Sequence, residues 1–427
     1  MASTNYHMKI GVDIRPLMTA PRTGVGEYTF ELLNSIFQID RVNQYFLFYN
    51  SGKDVSANIP NWQYENVKII NTRFPNKIFN ASIKLFGWPK LDKIVANRCH
   101  CERSETKRSN PPTKKITSSQ MDPRNDSLGI WFSPNLNFTA ISKKAKLILT
   151  VHDLSFEFFP EFSTGKQFWW HKIVSPKKQC RRADLILTPS ENTKRDIVNY
   201  YNIAPEKIKV IYPGIKNIAE TIIGHPELVS GSYGAPQKML KQVQHDIKNK
   251  YNLPDDYILF LGAIEPRKNI IGLIEAFEKS NTNATLIIAG APGWKNKKIF
   301  ERAKNSKNSE RIKFLGFVPD EDKSALYAGA KIFVYPSFYE GFGFPILEAM
   351  QTGTPVIASN RSSLPEIGGS AVYLIDPNRP KQIAFAINEL MNNQKLREWH
   401  IEKGRQQAQK FNWKNSAKEW LETIAKI

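Results

Sequence analysis

Short apolar runs recur along the chain, each followed by a polar or glycine-containing turn and then by residues with helical spacing. Runs without alternation mark strands covered on both faces, as parallel sheets require. In the first half, Lys9 to Ile14, Tyr45 to Tyr49, Val67 to Ile70, Gly129 to Ser133, Ala145 to Val151, Asp184 to Thr188 and Lys207 to Tyr212 predict strands, with a helix from Tyr28 to Phe37 after the first. The second half repeats the pattern at Tyr257 to Leu261, Thr285 to Ala289, Ile312 to Leu315, Lys331 to Tyr335, Val356 to Ala358 and Ala371 to Leu374. Alternating strand and helix predicts the α/β class with two doubly wound, Rossmann-like domains. The expected boundary is Pro213-Gly214, giving residues 1–213, residues 214–409 and a closing helical segment 410–427, where Trp413 and Trp420 read as core anchors.

Two stretches break the pattern. Residues 97–127 are polar, basic and free of aromatics, and residues 224–245 show no convincing period just past the boundary. Each is too long for a loop in a compact domain and reads as an insertion. Cys99, His100 and Cys101 lack a fourth ligand or a second cysteine pair, so no zinc site is expected there.

At 427 residues the chain exceeds what one core of about 250 to 300 residues serves, in keeping with two domains. Its apolar runs fall short of the ~18 residues of a membrane-spanning helix, and the first residues lack a signal-peptide core, so a cytoplasmic location is expected. Three cysteines cannot build a disulfide framework in so long a chain. The formal charge is +20, and residues 1–213 hold 31 Lys and Arg against 18 Asp and Glu. No zinc finger, RNP strand or basic zipper accompanies that excess, so nucleic acid is not the expected partner. A membrane surface or a phosphate-linked acceptor explains it equally. The basic-aromatic stretch Lys166 to Arg182 fits membrane contact at an inner face, although Pro176 interrupts it and aromatics packed beneath solvated lysines explain it as well.

The stretch Tyr335 to Pro355 carries the most chemistry. After the apolar run, Gly341 and Gly343 permit a tight turn, Pro345 suits a first helical position, and Gly353 suits a helix end. Peptide N–H groups around Phe342, Gly343 and Phe344 at a helix start attract phosphate. Glu348, expected in the first helical turn, is placed to accept ribose hydroxyls, and Glu340 faces the group beyond the phosphates. Taken singly, each acid also fits a helix-start residue or a solvated loop. Arg267 and Lys268 follow the strand Tyr257 to Leu261, where open sheets bind ligands, and two cations there neutralise a diphosphate as its sugar departs. Asp320-Glu321-Asp322 imitates a metal motif but reads as acids favouring a helix start.

The run from Glu340 to Glu348 around Gly-Phe-Gly-Phe-Pro, with EPRKN at 265–269, resembles the retaining glycosyltransferases of family four. With VHDLSFEFFPEFS at 151–163, it is most similar to bacterial mannosyltransferases of polysaccharide and lipopolysaccharide assembly. The resemblance implies the two-domain GT-B architecture facing a cleft, with the closing helix crossing back to the first domain. It implies donor contacts at Glu348, Arg267, Lys268, Glu340, Phe342, Gly343 and Phe344, and a loop at Gly24 and Gly26 facing the donor phosphates. By the same resemblance His152 faces the transferred sugar, although a core histidine paired with Asp153 fits its position too. Ser190 reads as a helix cap, and the resemblance places Ser190 and Lys194 beside the acceptor cleft. The implied reaction moves a hexose, mannose from GDP-mannose, to a glycan or lipid-linked glycan, without metal or other cofactor. A UDP-sugar glucosyltransferase, a sugar-nucleotide epimerase of the same architecture and an inactive binding relative are the alternatives.

Overall fold

The computed structural model describes residues 8–106, 128–216 and 245–427. Strands β1 (Lys9–Asp13), β2 (Gln44–Asn50), β3 (Val67–Thr72), β4 (Ile130–Ser133), β5 (Lys146–Thr150), β6 (Leu185–Thr188) and β7 (Ile208–Val210) form one sheet in the order β3-β2-β1-β4-β5-β6-β7. Strands β8 (Tyr257–Leu261), β9 (Thr285–Ala289), β10 (Ile312–Gly316), β11 (Ile332–Tyr335), β12 (Val356–Ser359) and β13 (Val372–Ile375) form the second, in the order β10-β9-β8-β11-β12-β13. All pairings within both sheets are parallel. Each expected strand is present, and β8 and β9 coincide with their apolar runs.

The strand order reverses between β1 and β4 and again between β8 and β11. At such a reversal the loops leaving neighbouring strands turn to opposite sheet faces, and a crevice opens at the strands' carboxyl ends. Residues far apart in sequence are thereby brought to one place.

The closing helix, Trp413–Ile424, packs into the core of the first sheet, beside the helix Gly24–Ile39. Trp420 is fully buried, its ring 5.2 Å from that of Phe132, and the Trp413 ring lies 5.9 Å from that of Tyr28. Gly214 permits this return: a Cβ there would stand 2.1 Å from the Trp413 amide nitrogen.

Two differences from expectation have local causes. The first long helix begins at Gly24 rather than Tyr28, because the Thr23 hydroxyl accepts the Gly26 amide at 3.3 Å and caps it there. The helix Leu91–Thr106 runs into the first expected insertion, whose opening residues contain no glycine or proline to stop it. The rest of that segment, residues 107–127, and residues 224–244 of the second lie outside the described residues.

Replacing Trp420 with Ala is expected to lower stability by about 3–5 kcal/mol, read by urea unfolding. A loss below ~1 kcal/mol would contradict the ring's place in the first core.

Candidate active site

Arg267 and Lys268 lie in the turn leaving β8, and Glu340 follows β11, the adjacent strand on the other side of the reversal. Lys268 Nζ donates to Glu340 Oε1 at 2.7 Å and to the Tyr335 hydroxyl at 2.5 Å. Arg267 Nη1 donates to Glu340 Oε2 at 3.0 Å and to the Tyr339 carbonyl at 2.6 Å, while its Nε and Nη2 reach Glu265 Oε1 at 3.1 and 2.7 Å. A guanidinium has five N–H groups and an ammonium three. Each cation therefore keeps one N–H without an acceptor among the described residues.

Burial opposes ionisation of Glu340, but the charges of Arg267 and Lys268 outweigh it and hold the carboxyl at about 2. Burial also lowers Lys268 against the pull of Glu340, and it raises Glu265 against the pull of Arg267. Glu340 is therefore not the solvated loop residue that its sequence position allowed. Sequence reasoning passed over Glu265, although it opens the EPRKN run.

The turn after Glu340 is pressed against the first domain. A Cβ on Gly341 would stand 2.1 Å from the His152 carbonyl oxygen, so only glycine fits there. Ser190 Oγ donates to the Gly341 carbonyl at 2.8 Å, and the Tyr339 hydroxyl donates to Asp196 Oδ2 at 2.5 Å. Gly343 has φ 119°, and the helix Phe344–Thr352 starts directly after it. Pro345 is thus second rather than first in the helix, and Glu348 falls in its second turn rather than its first. Among the described residues, the amides of Phe342, Gly343 and Phe344 donate to no protein acceptor. They remain available to an anion.

Glu348 opens on a cleft of about 650 Å³ between the two domains. Gly24, Glu27 and Glu31 line it from the first domain, and Asp320, Lys323, Tyr327 and Phe344 from the second. The Tyr327 hydroxyl donates to Glu348 Oε2 at 2.9 Å. Burial raises the Glu348 carboxyl above its ordinary value, with Lys323 and Tyr327 working the other way. Arg267, Lys268 and Glu340 do not line this cleft. The structure joins those three in one ion cluster and sets Glu348 apart, with the turn through Phe344 connecting the two places.

Lys216, which sequence reasoning did not single out, crosses the cleft. Its Nζ lies 3.0 Å from Glu27 Oε2, 3.6 Å from Glu31 Oε1 and 3.7 Å from Asp320 Oδ2. Burial alone would lower its ammonium, and those three acids more than offset that. Asp320, Glu321 and Asp322 form the first turn of the helix Asp320–Gly329, and among the described residues no group of His, Cys, Asp and Glu is arranged to hold a metal. The side chains of Cys99 to Cys101 lie outside the description.

On the first domain, Gly24 has open space beside it, whereas Gly26 sits against the Pro16 carbonyl. His152 is half-buried and edge-on to Tyr28, and its Nε2 lies 2.8 Å from the Pro134 carbonyl. A carbonyl only accepts, so Nε2 carries the proton, and burial lowers the imidazole and keeps it neutral. Asp153 bonds the Ser155 amide and hydroxyl instead of His152. Ser190 is fully buried, caps the helix Glu191–Tyr201 and spends its hydroxyl on the domain contact, which leaves none for an acceptor. Lys194 is half-exposed on that helix.

Two parallel Rossmann-like sheets with a cleft between them make up the GT-B architecture. Residues 243–407 match the family described as Glycosyl transferases group 1, and residues 130–216 match Glycosyltransferase Family 4. O-antigen chain mannosyltransferase B of Escherichia coli is 34% identical over 284 residues, 65% of this chain and 70% of that protein. The chain belongs to the group 1 glycosyltransferases. Serotype-specific mannosyltransferase WbdA of Escherichia coli is 29% identical over 61% of the chain, which spans only 31% of that relative. Anabaena Alr3699/HepE in complex with UDP and glucose shares the fold with a TM-score of 0.66 at 17% identity, covering 99% of this chain and 100% of that one.

Glu340→Gln leaves the buried Lys268 without its counter-charge and Arg267 with Glu265 alone, and is expected to cost about 3–5 kcal/mol at neutral pH. A carboxyl held at about 2 instead of 4.5 adds stability above pH 4.5 that is lost as pH falls toward 2. Denaturant unfolding should therefore show the gap between wild type and variant narrowing on acidification below pH 4.5. A gap independent of pH would refute the ion cluster.

Proposed function

We propose that the protein transfers mannose from GDP-mannose to a hydroxyl of a saccharide or lipid-linked glycan, with retention at the anomeric carbon. The observation that carries this reading is the turn from Glu340 to Glu348, which runs from a buried double ion pair, past free amides, to a carboxylate in an open cleft. A nucleoside diphosphate sugar needs the same sequence of partners. Glu348 accepts the ribose hydroxyls, the amides of Phe342 to Phe344 and the spare N–H groups of Arg267 and Lys268 hold the diphosphate, and Glu340 and neutral His152 face the hexose. Gly24 keeps the facing wall of the cleft low enough for the phosphates. The mannosyltransferase relatives favour mannose over the glucose of a uridine nucleotide.

The bond from the anomeric carbon to the phosphate oxygen breaks while the bond to the acceptor oxygen forms on the same face. The leaving phosphate takes the acceptor's proton, and the two cations stabilise its growing charge. Water kept out of the closed cleft cannot compete with the acceptor. No metal takes part in this reading, so turnover is expected to survive a chelator. It places the enzyme in the cytoplasm, peripheral to the inner face of a membrane, where a lipid-linked acceptor is presented.

Thermal shifts with GDP, UDP and ADP sugars are expected to rank GDP-mannose first, and NMR of the product is expected to show the donor's anomeric configuration. Glu340→Ala is expected to lower kcat about 100-fold, and normal transfer by that variant would overturn the site. Epimer formation from donor alone would favour the epimerase alternative. Because burial raises Glu348, nucleotide affinity should fall on acidification at a pH above that of an ordinary glutamate. Glu348→Gln should bind about tenfold more weakly and lose that dependence, as calorimetry would show.

A further inference from the structure

The first domain carries a second feature that sugar transfer does not use. The helix Asn76–Phe86 buries Phe79 and Ile83 against the core, yet it also leaves large apolar side chains exposed. Ile78, Leu85 and Phe86 are 68%, 73% and 78% exposed, and Trp88, just past the helix end, is 66% exposed. Ile78 and Leu85, two turns apart, share a direction on the helix, and Phe86 stands open at its last position. Beside them stands the helix Gly165–Val174, because Lys84 Nζ lies 3.5 Å from Ser175 Oγ at that helix's end. Trp169 at 61% and Ile173 at 43% exposure extend the apolar surface. Phe168 of this second helix lies beneath Lys172, whose Nζ is 4.5 Å from the ring centre, whereas Trp169 and Ile173 stay open to solvent. Lys172 Nζ also lies 5.8 Å from the centre of the exposed Trp169 ring.

Charge selects the partner. From Arg73 to Lys90 and from Thr164 to Arg182 there are ten Lys and Arg and no Asp or Glu. A second copy of such a face would be repelled. Apolar tips of leucine, isoleucine, phenylalanine and tryptophan ringed by lysines match the boundary between acyl chains and anionic headgroups. Nucleic acid would use the cations and leave Ile78 and Leu85 without a role. No described helix is long and apolar enough to cross a membrane, so the contact is with its surface.

We propose that the helix Asn76–Phe86, the turn through Trp88 and the adjoining helix Gly165–Val174 form a docking face for an anionic phospholipid bilayer. This deepens the membrane-contact part of the function proposed above, and its test involves no sugar transfer. The full chain is sedimented with vesicles of phosphatidylcholine alone and with vesicles containing one third phosphatidylglycerol. Sedimentation with the anionic vesicles alone is expected. A Leu85→Asp, Phe86→Asp variant should bind about tenfold less while melting as the wild type does, and a Trp169→Glu variant provides the same test should the first not fold. Wild type left in the supernatant with anionic vesicles, or undiminished binding by folded variants, would overturn the proposal. So would tight binding to duplex DNA that the apolar-to-acid variants lose to the same degree, which would assign the face to nucleic acid.

Discussion

Glu340 is the pivot of the second domain's functional edge. Its carboxylate is buried, and it stays ionised because a lysine and an arginine from the neighbouring strand end face it from two sides. Without it the buried Lys268 would face the cost of desolvation alone, and Arg267 would keep only Glu265 as a counter-charge. The parallel pairing of β8 with β11 sets the two loops side by side, and the ion cluster fixes how they leave the sheet. The glycine turn, the helix that follows it and the position of Glu348 all inherit their orientation from that junction.

The same turn couples the domains. Gly341 rests on the His152 carbonyl, Ser190 reaches its carbonyl oxygen, and Glu366 of the second domain accepts the amides of Glu191 and Asn192 at 2.7 and 3.0 Å. A carboxylate at the start of a helix complements the positive end of its dipole. The contacts that align the two halves are therefore built from the residues adjoining the candidate sugar site, so a ligand that shifts the turn also shifts the domains. Lys216 adds an ionic tie on the far side of the cleft.

Much of the fold is readable in the chain because parallel strands covered on both faces leave continuous apolar runs, and β8 and β9 could be delimited to the residue. The pairing of Arg267 and Lys268 with Glu340 was not readable, since it depends on which loops the strand order brings together. Ser190 illustrates the limit: a serine before a helix announces a cap, but nothing local says that its hydroxyl meets the other domain. Glu348 slipped from the first helical turn to the second because Gly343, by adopting a positive φ, lets the helix begin at Phe344 rather than Pro345. Ile78, Leu85 and Phe86 were missed because no element was expected between the third and fourth strands, and which apolar residues of a helix stay exposed depends on how it is seated. The signal was present in a helix that mixes lysine and hydrophobes without a single acid.

The closing helix has a consequence for how the molecule is made. Trp413 and Trp420 belong to the first core, yet they are translated after every strand of the second sheet. On the ribosome the first domain must wait, one flank unsealed, until its partner has emerged. The two domains are successive in the gene, yet the first depends on residues translated last, and a cut at the linker would leave it without its closing helix.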